Sequence, residues 1–227
     1  AFIDSQASFW SSQNFDAIVM CKAIQVCWKA MDYNQIIDDE TWEFINKSLM
    51  HYPAEAATWP VAKKRQVYDN MRRAFASIRP ANVNTQDRSI GHIPVRIYET
   101  GAHAVTIVYF HGGGFILGGL DSHDDVCAEI CERTGYRVIS VDYGLAPEVV
   151  YPGCFNDAWA AFEAIAAAQA GEIIVSGDSA GGNLAAAVAH KARSAKPGRI
   201  TGQVLIYPGL GGDWSNGSYI THANAPN

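Results

Sequence analysis

Two glycine-rich stretches carry the residues best suited to chemistry. Gly177-Asp178-Ser179-Ala180-Gly181 has the GxSxG spacing of a sharp strand-to-helix turn, a nucleophile elbow that lifts a serine hydroxyl clear of its neighbours. A Cβ at either flanking glycine would meet the adjacent strand or helix, so both positions require glycine. Ser179 is the candidate nucleophile, at the positive end of the dipole of the helix that follows. His111-Gly112-Gly113-Gly114-Phe115 sets three glycines where backbone N–H groups can approach a developing negative charge without side-chain obstruction. Serine attack on an acyl carbonyl creates such an oxyanion, and the N–H groups of Gly113, Gly114 and Ala180 are the candidate donors. His111 could act as a general base, but its place just before the glycines better suits a hydrogen bond that orders the loop, with Gly112 beside it. A dinucleotide site would want GxGxxG opening a helix, and His111 to Gly119 has its glycines elsewhere.

Both stretches need a scaffold, and the hydrophobic pattern predicts one. Four continuous apolar runs, Ala104 to Phe110, Arg137 to Tyr143, Glu172 to Ser176 and Gln203 to Tyr207, read as strands buried on both faces of a parallel sheet. Helices are expected between them at 122–134, 156–168 and 180–194, the first opened by a capping box of Ser122 and Asp125. Ile93 to Glu99 alternates apolar and polar and pairs as a hairpin across Gly91-His92. Strand alternating with helix predicts an α/β class, a mostly parallel doubly wound sheet with right-handed crossovers. The candidate loop follows the first buried run and the candidate nucleophile follows the third.

Residues 1–80 read as helical. Trp42, Ile45 and Leu49 form one stripe behind the capping candidates Asp38 and Asp39, and Val67, Met71, Phe75 and Ile78 form another. The stretch Pro53 to Pro60 separates the two helices, and Arg79-Pro80 is expected to end the second. The large aromatics of this region, Phe9, Trp10, Phe15, Trp28, Trp42 and Trp59, are expected mainly to pack helices together.

Composition narrows the function classes. The 227 residues include 17 basic and 23 acidic side chains, a net charge of −6. Nucleic-acid binding needs a basic face, and the one dense cluster, Lys63-Lys64-Arg65 with Arg72-Arg73 nearby, reads as a solvated helix face. Cys21, Cys27, Cys127, Cys131 and Cys154 make an odd count with no CxxC pair, so neither a disulfide framework nor a zinc site is expected. Buried free thiols fit better. No apolar stretch approaches the roughly 18 residues of a membrane span, and the front lacks a basic stretch followed by an apolar one, so a cytoplasmic location is expected.

HGGGF at 111–115, GDSAGG at 177–182 and the intervening Asp142-Tyr143-Gly144-Leu145-Ala146-Pro147-Glu148 together resemble the hormone-sensitive-lipase family of α/β-hydrolase esterases. His111 to Asp124 and the helix from Trp59-Pro60 to Arg73 look most like bacterial acetyl esterases. The resemblance implies an α/β-hydrolase core over 81–227 and an N-terminal helical cap over 1–80. It implies a cofactor-free, metal-free carboxylic-ester hydrolase whose partner is a small-molecule ester, with neither nucleic acid nor membrane involved and a homodimer left open. Short acyl chains are expected. Gly144 departs from the family's arginine at that position, which puts a local salt bridge in doubt.

This fold supplies its catalytic residues in the order Ser, Asp or Glu, then His. The 48 residues after Ser179 hold Asp213, His190 and His222. His190 falls in the helix directly behind the turn, and Asp213 and His222 follow the last apolar run too closely to match the family. The acid and base are therefore expected beyond Asn227, along with the last strands and helices of the core, so this stretch alone would be inactive. Two other readings remain open on the residues: an inactive small-molecule-binding protein on the same scaffold, as in gibberellin receptors, and an amidase or deacetylase using the same nucleophile and donors.

Overall fold

The computed structural model describes residues 36–212. They fall into two compact units, divided at Val67 and Tyr68, with the second ending at Leu210. The first contains α1 (Asp39–Leu49), a 3₁₀ turn (Ala54–Thr58) and the start of α2 (Val61–Phe75). Asp38 caps α1, its carboxylate accepting the Thr41 N–H at 2.7 Å, as the sequence predicts. α2 stops at Phe75 rather than at Arg79-Pro80. Ile78 therefore lies past the helix and is 97% exposed, so it does not extend the apolar stripe.

The second unit is built on a sheet of β1 (Asn84–Ile90), β2 (Ile93–Glu99), β3 (Val105–Phe110), β4 (Arg137–Val141), β5 (Glu172–Asp178) and β6 (Gly202–Ile206). Among the described residues these six strands are ordered β1-β2-β4-β3-β5-β6. β1 and β2 form the expected hairpin, with Ile90 opposite Ile93, and β2 runs antiparallel to β4. β4, β3, β5 and β6 are mutually parallel. The helices between them are α3 (Asp124–Thr134), α4 (Gly153–Ala168) and α5 (Ala180–Ala195).

Alternation along β3 explains the layering. Ile107 and Tyr109 join a buried cluster with Val138 and with Cys127, Ala128 and Cys131 of α3. Val108 and Phe110 point the other way, into a larger cluster with Trp159 and Phe162 of α4 and Leu184 and Val188 of α5. Each fully buried apolar side chain contributes about 1.5–3 kcal/mol relative to exposure. The helices thus cover both faces of β3, β4 and β5, which is why these strands read as continuous apolar runs. β6 departs from the sequence reading: it has no buried residue and Val204 is 52% exposed, so the run Gln203 to Tyr207 is a strand of the sheet but not one buried on both faces. Cys127, Cys131 and Cys154 are buried free thiols, as expected; Cys21 and Cys27 lie outside the described residues.

Two helix starts differ from the sequence reading. α3 opens at Asp124 with His123 at its cap position, so the predicted capping box is absent. The Ser122 hydroxyl is committed elsewhere: it accepts the Gly119 N–H at 3.0 Å and lies 2.8 Å from His123 Nδ1. α4 begins at Gly153, three residues ahead of the expected start, directly after Pro152.

From β3 the chain moves to β4 on one side, then returns to β5 on the other. A parallel sheet opens a crevice at the carboxyl ends of strands where this reversal occurs. Here that point lies between β3 and β5, with Phe110 opposite Gly177 in register. The two glycine-rich stretches start from these adjacent strand ends.

Candidate active site

β5 ends at Asp178 and α5 begins at Ala180, leaving Ser179 alone to turn the chain. It does so at φ 51° and ψ −115°, a conformation that costs a non-glycine residue on the order of 1–3 kcal/mol. Surrounding bonds hold it there. The Ser179 N–H donates to Ile206 O at 2.9 Å, and its carbonyl accepts the Asn183 N–H at 3.0 Å, the first bond of α5. Asn183 Nδ2 donates to Gly209 O at 2.6 Å, tying the segment after β6 to the same turn. A Cβ on Gly177 or Gly181 would fall far inside van der Waals contact with Phe110 O, so β3 and α5 close on each other through these glycines.

The loop after β3 reverses in a short span. Gly113 at φ 123°, Gly114 at φ 62° and Phe115 at φ 63° all lie in the left-handed region. The Gly113 carbonyl accepts the N–H groups of Ile116 and Leu117 at 3.1 and 2.9 Å. Among the described residues, the N–H groups of Gly113, Gly114 and Ala180 make no hydrogen bond within the chain. Ala180 owes this to its place at the first turn of α5, where N–H groups have no intrahelical acceptor.

Beneath the loop lies a buried polar layer. His111 is fully buried, and burial followed by the nearby His123 pushes its pKa down to about 4, so the ring is neutral near pH 7. Its Nδ1–H donates to Gly112 O at 2.8 Å. Its Nε2 has no hydrogen-bond partner among the described residues and lies 3.8 Å from Asp142 Oδ1. Burial, reinforced by Asp121, pushes the Asp142 carboxyl up to about 6. Asp178 behaves oppositely. Burial would raise its pKa, but His123, the Tyr109 hydroxyl and the Gly112 N–H together hold it below the usual carboxylate range.

The five predicted site residues other than Ser179 therefore stand as follows. Gly113 and Gly114 are on the loop with free N–H groups, Ala180 is on the elbow, and His111 and Gly112 form the loop's buried base. Elbow and loop meet through Asp178, whose Oδ1 accepts the Gly112 N–H at 2.9 Å. Sequence reasoning missed Tyr109, His123, Asp178 and Tyr143. Asp178 and Tyr143 sit inside the GDSAGG and DYGLAPE stretches, where burial between glycines or apolar residues was the available signal.

His190 lies eleven residues down α5 from Ser179, about 16 Å along the axis at 1.5 Å per residue, so it cannot reach the hydroxyl. Asp213 and His222 lie outside the described residues. At Gly144, where the resembling family has arginine, the backbone N–H donates to Asp157 Oδ2 at 2.9 Å, and Asp157 Oδ1 lies 3.0 Å from His92 Nε2. A side chain there would meet Val149 Cγ2 at 2.6 Å, so Asp157 is satisfied by a backbone N–H and a histidine instead. Among the described residues no group of His, Cys, Asp and Glu is placed to hold a metal ion, and no helix is long and apolar enough to cross a membrane.

Comparison with known proteins gives a consistent picture. A family profile described as the alpha/beta hydrolase fold matches residues 107–226. Esterase LipI of Mycobacterium tuberculosis is 42% identical over 151 residues, covering 62% of this chain and 47% of that protein. Ethyl acetate hydrolase of Pseudomonas putida is 36% identical over 146 residues, covering 58% of this chain and 44% of that one. Among solved structures, the hyperthermophilic esterase of Pyrobaculum calidifontis superposes with a TM-score of 0.63 at 36% identity, covering 66% of this chain and 54% of that one. The chain thus spans about half the length of the curated relatives it matches. The matched region begins in β3 and includes the loop, the elbow and α5, the same elements on which the motif resemblance rests. The chain belongs to the α/β-hydrolase fold family.

Proposed function

We propose that the full-length protein is a carboxylic-ester hydrolase acting on small esters with short acyl chains, with Ser179 as nucleophile. The observation that carries this reading is a strained Ser179 followed by the unengaged Ala180 N–H, on an elbow bonded through Asp178 to the loop that carries the unengaged N–H groups of Gly113 and Gly114. Relatives named esterase and ethyl acetate hydrolase support it. Asp and His partners are proposed to lie beyond Asn227; the reaction uses no cofactor and takes place in the cytoplasm.

Ser179 Oγ attacks the ester carbonyl while the histidine takes the hydroxyl proton. The carbonyl electron pair moves onto oxygen, and the N–H groups of Gly113, Gly114 and Ala180 stabilise that charge. Each such donor is worth about 10²–10³ in kcat. Collapse of the intermediate expels the alcohol, which leaves with the proton from the histidine, and the acyl group stays on Oγ. Water then attacks this acyl-enzyme by the same route, releasing the carboxylic acid and restoring the serine. The α5 dipole favours both oxyanions.

Rates with p-nitrophenyl acetate, p-nitrophenyl palmitate and p-nitroacetanilide test the substrate class on the full-length protein. The acetate ester is expected to give the highest kcat/KM. A preference for palmitate would overturn the short-acyl assignment, and faster cleavage of the anilide would make the enzyme an amidase.

A further inference from the structure

We infer that Tyr207, the residue after β6, is a specificity-determining residue whose ring walls the acyl group of the substrate and limits its length. The inference deepens the esterase reading above and rests on it for the acyl group; the placement of Tyr207 rests on geometry alone.

Tyr207 stands next to the nucleophile. The Ser179 N–H donates to Ile206 O at 2.9 Å, and with standard backbone dimensions that bond holds the Ser179 and Tyr207 α-carbons within about 7 Å of each other. The backbone there is strained: Tyr207 lies at φ 35°, in the left-handed region, which for a bulky side chain is an outlier. Neighbours on both sides impose it. Ile206 is tied to Ser179, while Asn183 Nδ2 donates to Gly209 O at 2.6 Å and Pro208 packs on Gly182, where an added Cβ would lie 3.0 Å from Pro208 Cβ. The segment Ile206 to Gly209 is thus fastened to the elbow and the first turn of α5, and it carries Tyr207 as a fixed part of the same assembly.

Packing does not account for a tyrosine at this position. The residue is 74% exposed, belongs to neither buried cluster, and its hydroxyl makes no hydrogen bond among the described residues. Strain that no packing repays belongs to sites where a side chain must be held for a ligand. The phenol pKa is raised, by partial desolvation first and then by the charge of Asp178, with Arg72 opposing, so the hydroxyl sits on the elbow's side of β6. The strand order β3-β5-β6 puts the loop with Gly113 and Gly114 on one flank of Ser179 and Tyr207 on the other. With the carbonyl oxygen drawn to the loop, the acyl and alkoxy groups of the ester point away from it, towards Tyr207. The alcohol departs in the first half-reaction, whereas the acyl group stays on Ser179 Oγ until water releases it. A rigid ring beside Ser179 therefore meets the acyl group in both half-reactions, and its aromatic face sets the chain length that fits.

Tyr207→Gly in the full-length protein is the primary test, because glycine removes the ring and accepts the left-handed backbone. Rates are read on p-nitrophenyl acetate, butyrate and hexanoate for the acyl group, and on ethyl and butyl acetate for the alcohol. The expected result is a rise of about tenfold or more in the hexanoate-to-acetate ratio of kcat/KM, a butyl-to-ethyl ratio changed less than about threefold, and a thermal midpoint no lower than the parent's. Tyr207→Phe keeps the ring and is expected to keep the parent's ratios. If the Gly variant does not fold, Tyr207→Asn, which tolerates this backbone, is expected to show the same rise. An unchanged hexanoate-to-acetate ratio in a folded Gly or Asn variant, or a shift confined to the alcohol series, would overturn the inference. Absence of Ser179-dependent hydrolysis in the parent would overturn the esterase reading and the wall with it. That failure is seen in the parent, whereas failure of the wall alone is seen only in the variants.

Discussion

Tyr143 holds His111 in two ways at once: its hydroxyl donates to the His111 carbonyl at 2.7 Å, and its ring stacks on the imidazole with centroids 4.4 Å apart and planes at 11°. Tyr143→Phe separates the two. It keeps the stack and leaves the buried His111 carbonyl without that donor, which costs about 1–3 kcal/mol. Urea denaturation of the variant beside the parent should show this loss as a lower midpoint with unchanged slope. A midpoint equal to wild type would mean that the hydroxyl contributes nothing to the loop's base.

Asp142 gives the polar layer a pH signature. Its folded carboxyl is pushed up to about 6, whereas the unfolded value is 3.8, so the folded chain disfavours the charged form. The stability it contributes is present below the unfolded value and is lost as pH rises from 3.8 towards 6. Asp142→Asn removes the ionisation. The variant should be more stable than the parent above pH 6, and the difference should shrink towards zero below pH 4. Denaturation midpoints across this range check the sign, and a gain that grows with falling pH would contradict the account.

Gly181 tests the closeness of β3 and α5. Alanine there would drive its Cβ into the Phe110 carbonyl, which is backbone and cannot swing aside. Overpacking of this kind costs about 1–3 kcal/mol, and relief requires the elbow to shift away from the loop. Gly181→Ala should lose both thermal stability and nearly all hydrolysis. Unimpaired turnover by a stable Gly181→Ala protein would mean that this contact does not set the elbow.

The parts of this architecture that were legible in the sequence are those encoded locally. The strands β3, β4 and β5 announce themselves because helices cover both faces, making each run apolar, whereas β6 has the same apolar look with Val204 exposed. The elbow and loop are readable because glycine spacing reflects close approach of backbone to backbone. The bonding around Asp178 was not readable. Tyr109, Gly112, His123 and Asp178 come from four places in the chain, and only the adjacency of β3 and β5 brings them together. Ser122 misled for a related reason: its spacing to Asp125 fits a helix cap, but its hydroxyl is engaged by Gly119 and His123. Ile78 continued the period of α2 on paper, although the helix had ended at Phe75 and nothing in the pattern marks that stop.

The central claim is that Ser179 is the nucleophile. Its most direct test is steady-state hydrolysis of p-nitrophenyl acetate by the full-length protein and its Ser179→Ala variant. The parent should turn over with kcat in the range of about 1–10³ s⁻¹, and the variant should fall by about 10⁶-fold, the scale of nucleophile removal in serine hydrolases. Hydrolysis that survives Ser179→Ala undiminished would contradict the account.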